Sequence, residues 1–279
     1  MSSEVGGASG KPKISIRGLG HGYGDLDVLA PLDLDVLEGQ FLCIVGPSGC
    51  GKSTLLKALA GLVEPTVGEV VVQRRRSGGQ LAAMVFQDYS IFPWKTVTQN
   101  VRFGLDVART PRKISDGIVA DLLGRFGLTD FAGARPAELS GGMRQRVAIA
   151  RAFAVDPEIL LMDEPFAALD AQLRMTMQEE LLTIWESDRR TVLFVTHSID
   201  EALLLGDRVI VMSARPGHVL ATHEIQFERP RTQSLRSDPA FWAIHDEIWG
   251  TLESQVDHAD VGSKGSPIAG DLPRAVVTK

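Results

Sequence analysis

The sequence predicts an α/β fold with three parts: a mixed, mainly parallel core sheet, an N-terminal antiparallel β subdomain and an α-helical subdomain. Three observations lead to this prediction. Short apolar runs alternate with helical patterns, which is typical of a parallel sheet with helical crossovers. Two segments near the N-terminus alternate apolar and polar residues, as antiparallel strands with one solvated face do. Helical periodicity dominates residues 97–154, which indicates a separate helical unit.

Five strands are predicted in the N-terminal half, at residues 13–19, 28–36, 41–45, 69–73 and 82–86. The first two are the alternating segments. Residues 41–45 form a continuous apolar run, the pattern of a strand buried on both faces. The charged and glycine-containing segment at residues 74–79 predicts a solvated turn between the last two strands.

Three further apolar runs predict parallel strands in the C-terminal half, at residues 159–162, 191–195 and 208–212. Residues 218–227 are expected to add a hairpin strand. Residues 238–256 predict a helix whose apolar face contains Phe241, Ile244, Ile248 and Leu252.

These elements divide the chain into a main domain and flanking segments. The main domain spans residues 12–230, and its helical subdomain lies at about residues 95–155. Residues 231–256 form a C-terminal helical extension. Residues 1–11 are rich in glycine and serine, and residues 257–279 lack periodicity, so we expect both to be disordered.

Composition limits the classes of function. The chain has 279 residues and a formal net charge of −6, which disfavours nucleic acid as the main partner. Its two cysteines, Cys43 and Cys50, do not suggest a disulfide framework. No run approaches the about 18 apolar residues of a membrane span, and the first residues lack a signal-peptide pattern. We therefore expect any membrane association to occur through a partner.

Residues 46–54 match the complete phosphate-loop pattern G-x-x-x-x-G-K-[ST] between a predicted strand and a predicted helix. Glycines let successive backbone N–H groups point at phosphate oxygens. Lys52 is expected to reach the β- and γ-phosphates, and the Ser53 hydroxyl to ligate Mg²⁺. A chance glycine turn is the alternative, and the strand–loop–helix setting argues against it. The nucleotide-binding residues predicted here are Gly46, Pro47, Ser48, Gly49, Cys50, Gly51, Lys52, Ser53 and Thr54.

Two carboxylates, Asp163 and Glu164, end the apolar run at residues 159–162. In a parallel sheet, the carboxyl ends of the strands are where ligands bind. We expect Asp163 to assist in holding Mg²⁺ and Glu164 to polarise an attacking water. A surface turn with two acids is the simpler alternative for these residues alone, and the phosphate loop upstream favours the functional interpretation.

Ser140, Gly141 and Gly142 open a long helical segment. Such a start offers backbone N–H groups and a hydroxyl to an anion. Taken alone, these residues are better explained by an ordinary capped helix.

With these motifs in order, residues 13–230 resemble the ATP-binding subunits of ABC transporters, a P-loop NTPase family with a RecA-like core. Residues 46–54 match Walker A, and residues 159–164 match Walker B. Residues 139–143 resemble the signature motif, with Met143 where glutamine is commoner. The remaining matches are the Q-loop glutamine, the D-loop aspartate, the switch histidine and the adenine-stacking aromatic, at Gln87, Asp170, His197 and Tyr23.

The resemblance implies an ATPase that uses ATP and Mg²⁺. Glu164, His197 and Gln87 are its implied catalytic residues, and Ser53, Gln87 and Asp163 its implied metal ligands. It also implies a head-to-tail homodimer in which Ser140, Gly141, Gly142 and Asp170 act on the partner's nucleotide. Further implied partners are two membrane-spanning permease subunits and a separate substrate-binding protein, so the chain would lie peripherally on the cytoplasmic face of the membrane.

The segment after Gln87 resembles a narrower group, the importers of nitrate, taurine and aliphatic sulfonates. Residues 88–94 carry the aromatic Phe92-Pro-Trp94 sequence that is similar to this group's variant, and residues 178–185, 194–203 and 211–217 are similar to it as well. Aromatic side chains are favoured anchors at docking sites. The alternative for Trp94 is a core position.

Two other classes of function stay open at this point. One is a soluble ABC-type ATPase that is not coupled to transport and acts on nucleic acid or ribosomes, but the chain has one copy of each motif and no long heptad insert. The other is a regulatory module without catalysis. Such a module would be expected to lack Glu164 or His197, and this chain has both. The transported substrate is not specified by this chain, because the binding protein and the permease select it.

Overall fold

The computed structural model describes residues 11–75 and 80–261, with side chains up to residue 255. Its core is a six-stranded sheet in the order β5-β6-β7-β3-β8-β9. The first five strands are parallel, and β9 pairs with β8 as an antiparallel hairpin, as the sequence predicts. These strands are β3 (Phe41–Val45), β5 (Ala82–Val85), β6 (Ile159–Asp163), β7 (Thr191–Val195), β8 (Arg208–Met212) and β9 (Val219–Glu224).

A second sheet is antiparallel, three-stranded and ordered β2-β1-β4. Its strands are β1 (Pro12–Tyr23), β2 (Leu26–Leu37) and β4 (Val67–Val72). Strand β1 is longer than the predicted residues 13–19, because register shifts around Gly18 and Gly20 let it bend and continue to Tyr23. The α/β fold class with an antiparallel β subdomain is therefore confirmed.

Seven α-helices lie within the described residues: α1 (Lys52–Leu59), α2 (Val97–Val107), α3 (Arg112–Arg125), α4 (Gly141–Ala154), α5 (Ala171–Asp188), α6 (Ile199–Leu205) and α7 (Pro239–Val261). Helices α2 to α4 form the predicted helical unit. A capping box between Thr96 and Gln99 begins α2. Among the helices of the described residues, none is long and apolar enough to cross a membrane.

The parallel sheet separates two hydrophobic clusters, and β3 contributes to both. Phe41, Cys43 and Val45 pack on the face covered by the helical unit, whereas Leu42 and Ile44 pack on the face shared with α1 and the antiparallel sheet. All five side chains are fully buried. The continuous apolar run in the sequence follows from this burial on both faces.

The C-terminal extension returns to the main domain. The hydrophobic cluster that contains Phe41 also contains Phe241 and Ile248 of α7. Both side chains are fully buried, and both belong to the apolar helix face that the sequence predicts. Buried Arg231 donates hydrogen bonds to the carbonyls of Leu203 and Gly206 and so ties the linker to the end of α6. Helix α7 continues to Val261, beyond the predicted end at residue 256. The disorder predicted for residues 1–11 and 257–279 and the turn predicted at residues 74–79 fall largely outside the described residues. For residues 257–261 the prediction of disorder is wrong, because these residues continue α7.

Candidate active site

The candidate site forms where three neighbouring parallel strands end. Strands β6, β7 and β3 are adjacent in the sheet, and their carboxyl ends lead into Glu164, Thr196 and Gly46, respectively. Residues far apart in the chain therefore meet at one edge, as expected for an open parallel sheet.

Two glycines of the phosphate loop have backbone conformations that other residues adopt only with strain. Gly49 has φ 76° and Gly51 has φ 103°. A Cβ atom on Gly51 would lie 2.5 Å from Leu29 Cδ2, so a side chain there would also collide with strand β2. The loop thus packs closely on the antiparallel sheet and turns directly into helix α1.

The Lys52 ammonium lies inside the loop rather than in solvent. Lys52 is 5% exposed, and its Nζ donates to the carbonyls of Gly46 at 2.7 Å and Pro47 at 2.9 Å. Neutral carbonyls compensate a buried positive charge only in part. Together with the N-terminus of α1, this arrangement is suited to binding an anion such as a triphosphate.

Ser53 and Asp163 are brought together as the sequence predicts. Ser53 Oγ donates to Asp163 Oδ1 at 2.9 Å, and Asp163 is 5% exposed. Burial raises the pKa of Asp163 above its ordinary value, while the Ser53 hydrogen bond opposes that rise. A buried carboxylate beside a hydroxyl is a hard-oxygen donor pair that fits Mg²⁺.

Within the described part of the chain, no group of three or more His, Cys, Asp or Glu side chains could hold a metal ion. The Ser53–Asp163 pair is therefore not a complete cage. Magnesium commonly uses one or two protein ligands together with substrate phosphates and water, so two oxygens beside a phosphate loop fit that pattern.

Glu164 occupies a strained backbone position at the end of β6. Its φ is 45°, which is uncommon for a non-glycine residue, and its N–H donates to Val195 O at 3.0 Å. Its Oε2 lies 3.4 Å from His197 Nδ1 and 3.5 Å from Gln87 Nε2. The three predicted catalytic side chains are therefore adjacent in the structure.

Glu164 and Gln87 contribute to a cleft of about 300 Å³, and His197 lies outside its lining. The cleft is lined by Val28, Ser48, Gly49, Gly51, Lys52, Ser53, Thr54, Gln87 and Glu164. Val28 is a lining residue that the sequence did not reveal, since it reads only as part of an alternating strand. Tyr23 is not among the lining residues: it is 51% exposed at the end of β1, where its ring packs against His21.

Ser140, Gly141, Gly142 and Asp170 also lie apart from the lining of this cleft. Ser140 and Asp170 are N-cap residues of α4 and α5, and Asp170 accepts a hydrogen bond from the Leu173 N–H at 2.9 Å. A Cβ atom on Gly142 would lie 2.3 Å from Leu173 Cδ2, so the two helix starts pack directly against each other.

A second cavity of about 510 Å³ adjoins the phosphate loop and was not predicted. Helix α7 contributes Trp249, Leu252 and Glu253 to its wall, opposite Gly46, Pro47, Ser48 and His197. The sequence shows that residues 238–256 form an amphipathic helix, but not what the helix packs beside.

The segment after Gln87 presents aromatic side chains at the surface. Trp94 is 68% exposed, so the alternative of a core position is wrong. Phe92 lies between Trp94 and Phe103, with ring centroids 5.6 Å and 4.6 Å away, and the Arg151 guanidinium lies over the Phe92 ring. These contacts support an exposed aromatic edge next to the cleft.

Comparison with known proteins places these features in one family. Residues 29–167 match the family model described as "ABC transporter". A putative ATP-binding protein of Brucella abortus is 49% identical, over 90% of this chain and 97% of that protein. The taurine import ATP-binding protein TauB of Rhizobium johnstonii is 46% identical, over 81% of this chain and 89% of that protein. The nitrate import ATP-binding protein NrtD of Synechococcus elongatus is 44% identical, over 82% and 86%.

Solved structures agree with the sequence relatives. The dimeric structure of MJ0796, a bacterial ABC transporter cassette, superposes with a TM-score of 0.68 at 31% identity, over 77% of this chain and 100% of that one. A post-hydrolysis dimer of the same cassette, bound to ADP and phosphate, superposes with a TM-score of 0.67 at 30% identity, over the same shares.

Proposed function

The chain belongs to the ABC transporter family of ATP-binding subunits, and from that membership we propose that it drives an importer of nitrate, taurine or aliphatic sulfonates. As a member of this family it binds and hydrolyses ATP. The observation that carries the proposed mechanism is the meeting of Glu164, His197 and Gln87 at the mouth of the phosphate loop.

Nucleotide binding follows from the loop geometry. The backbone N–H groups of residues 46 and 48–54, together with the start of α1, surround the phosphates, whereas Pro47 has no N–H to offer. The Lys52 ammonium adds a charge-assisted contact. Ser53 and Asp163 would hold Mg²⁺, and Gln87 would add a further ligand from the neighbouring loop. When bound, the cation neutralises charge that develops on the phosphate oxygens.

Hydrolysis uses the carboxylate at the end of β6. Glu164 orients a water for in-line attack on the γ-phosphorus and accepts its proton, while the bond to the ADP oxygen breaks and phosphate leaves. His197 donates to the γ-phosphate and keeps Glu164 in place, consistent with the 3.4 Å between His197 Nδ1 and Glu164 Oε2. The hydrogen bond from the Glu164 N–H to Val195 O helps to position the base.

We propose that the site is completed by a second copy of the chain. Ser140, Gly141, Gly142 and Asp170 lie away from the cleft of their own subunit, as residues that act in trans must. The dimeric form of the similar cassette supports this arrangement. Tyr23 is proposed to stack on adenine from the open end of β1.

Coupling to transport is assigned to the surface around residues 87–94. Gln87 lines the cleft, whereas Trp94 is exposed a few residues away, so one short segment connects the nucleotide with the surface. We assign as partners two membrane-spanning permease subunits and a separate substrate-binding protein, with this chain peripheral at the cytoplasmic face. The import proteins among its relatives support this assignment.

Replacement of Glu164 tests the mechanism. Glu164→Gln should keep ATP binding, because the loop and Lys52 are unchanged, and should abolish steady-state hydrolysis. Hydrolysis by the purified chain with Mg²⁺ and ATP, beside an ATP-binding titration, gives both values. Near-normal turnover of Glu164→Gln would falsify the assignment of the base. ATP hydrolysis that never responds to co-reconstituted permease subunits would instead favour an ATPase that is not coupled to transport.

A further inference from the structure

The loop that carries His197 rests on a buried carboxylate, Glu201 of helix α6. Glu201 is 5% exposed, and its Oε2 accepts a hydrogen bond from Thr196 Oγ1 at 2.6 Å. The same Thr196 hydroxyl accepts a hydrogen bond from the Ser198 N–H at 3.0 Å. The residues on both sides of His197 are therefore tied to one hydroxyl, and that hydroxyl is tied to Glu201.

The other oxygen of Glu201 faces helix α5. Its Oε1 accepts a hydrogen bond from Gln178 Nε2 at 3.1 Å and lies 3.7 Å from Arg174 Nε. Arg174 also donates through Nη2 to Leu169 O at 2.9 Å, immediately before Asp170. Glu201 thus connects the loop of His197 with the loop at residues 167–170.

The contact with Arg174 has room to tighten. A separation of 3.7 Å is too long for a hydrogen bond, and Arg174 Nε has no hydrogen-bond partner among the described residues. Burial raises the pKa of Glu201, while the hydrogen bonds and the Arg174 charge oppose that rise. A buried charged group at this place costs stability relative to a neutral one, which argues for a role other than packing.

We propose that Glu201 is a positioning residue that couples the place of His197 to the loop at residues 167–170. This inference rests on the proposed function, in which Asp170 of that loop reaches the second subunit. A shift of the loop moves Arg174 relative to Glu201. Thr196 transmits this shift to His197, whose side chain contacts Glu164. Dimer formation and hydrolysis are connected through one carboxylate.

Substitutions at two positions, Glu201 and Thr196, test the proposed connection between the loop at residues 167–170 and His197. Glu201→Gln keeps the size of the side chain but turns one acceptor oxygen into a donor that faces Thr196 or Gln178. Thr196→Val removes the hydroxyl, and Thr196→Ser retains it. Since small displacements of catalytic groups cost up to about 100-fold in rate, we expect kcat to fall by about 10-fold or more in Glu201→Gln and Thr196→Val. Thr196→Ser should recover most of the wild-type kcat.

A structural role and a positioning role differ in the other readouts. Neither Glu201 nor Thr196 lines the nucleotide cleft, so the ATP dissociation constant should stay within about twofold of wild type. Glu201→Gln places a donor against Thr196 or Gln178 in a buried site, so its melting temperature is expected to fall modestly, and kcat is compared at a temperature at which every variant is fully folded. The matched control is Glu186→Gln, which removes a carboxylate of α5 that pairs with Arg229 at 3.4 Å, and it should leave kcat within about twofold.

The outcomes separate this inference from the proposed function. A wild-type chain that does not hydrolyse ATP refutes the proposed function. A wild-type chain that is active, with Glu201→Gln and Thr196→Val equally active, overturns the inference. Equal impairment of Thr196→Ser and Thr196→Val also overturns it, because the hydroxyl would not matter. If Glu201→Gln does not fold, the two Thr196 variants decide alone.

Discussion

Trp94→Ala tests the proposed permease-docking surface most directly. A tryptophan side chain offers up to about 250 Å² of surface, so at 68% exposure roughly 170 Å² remains open to a partner. At about 25 cal/mol per Å², complete burial on docking would contribute about 4 kcal/mol as an upper value. Interface hot spots lose about 2 kcal/mol or more on truncation. We therefore expect assembly with the permease to weaken by about 2–4 kcal/mol, or about 30- to 1,000-fold in Kd.

The assay compares assembly with stability. The covered third of Trp94 packs beside Phe92, so the free energy of unfolding of the isolated subunit should fall by no more than about 2 kcal/mol. Titration of the solubilised permease subunits gives Kd, and urea unfolding gives the stability. Trp242→Ala is the control, because Trp242 is 45% exposed on α7 and outside this surface. Wild-type affinity of Trp94→Ala, in protein shown to be folded, would refute the docking assignment.

Three further predictions concern the site and the core. Because burial raises the folded-state pKa of Asp163, the folded state binds this proton more tightly, and the contribution of the carboxyl to stability falls as pH rises through that pKa. Asp163→Asn should accordingly melt higher at pH 7, with a flatter pH dependence in thermal melts, yet lose Mg²⁺-dependent hydrolysis; a lower melting temperature would contradict this. Gln145 is fully buried, and both amide atoms lack a hydrogen-bond partner among the described residues, so Gln145→Leu should raise the urea-unfolding free energy by about 1–3 kcal/mol. A loss of stability would show that the amide has a partner. Finally, mixing Lys52→Ala with Ser140→Arg subunits should restore part of the ATPase activity, since each mixed dimer keeps one intact composite site; no recovery in verified mixed dimers would count against sites completed in trans.

Much of the fold could be predicted because its signals are local. The apolar run of β3 is predicted at residues 41–45 and found as Phe41–Val45, and β7 and β8 have the predicted bounds. Because both faces of these strands are buried, every position after the first residue of β7 and β8, and every position of β3, is apolar, so the runs can be recognised from the sequence alone. Strand β1 extends beyond its prediction, because the bends around Gly18 and Gly20 interrupt the period-two pattern without ending the strand.

The chemical pairs were also predictable in part. Ser53 and Asp163 are 110 positions apart in the chain, yet Asp163 ends strand β6 and Ser53 comes shortly after strand β3, and parallel strands end at a common edge. The residue types and their places after apolar runs were therefore sufficient to predict that they meet.

Only the tertiary structure decided the contacts between elements. The position of Glu201 behind His197, the wall that Trp249 adds beside the phosphate loop, and the separation of Tyr23 from the cleft all depend on how helices and loops pack. The exposure of Trp94 is of the same kind, because an aromatic residue after a loop has the same sequence pattern in a core and on a surface. The periodicity of apolar residues depends only on residues that are close in the sequence, so the sequence alone is enough to recognise it. Side-chain contacts across 20 or more positions, such as that of Gln178 with Glu201, arise only when strand order and helix packing bring those residues together.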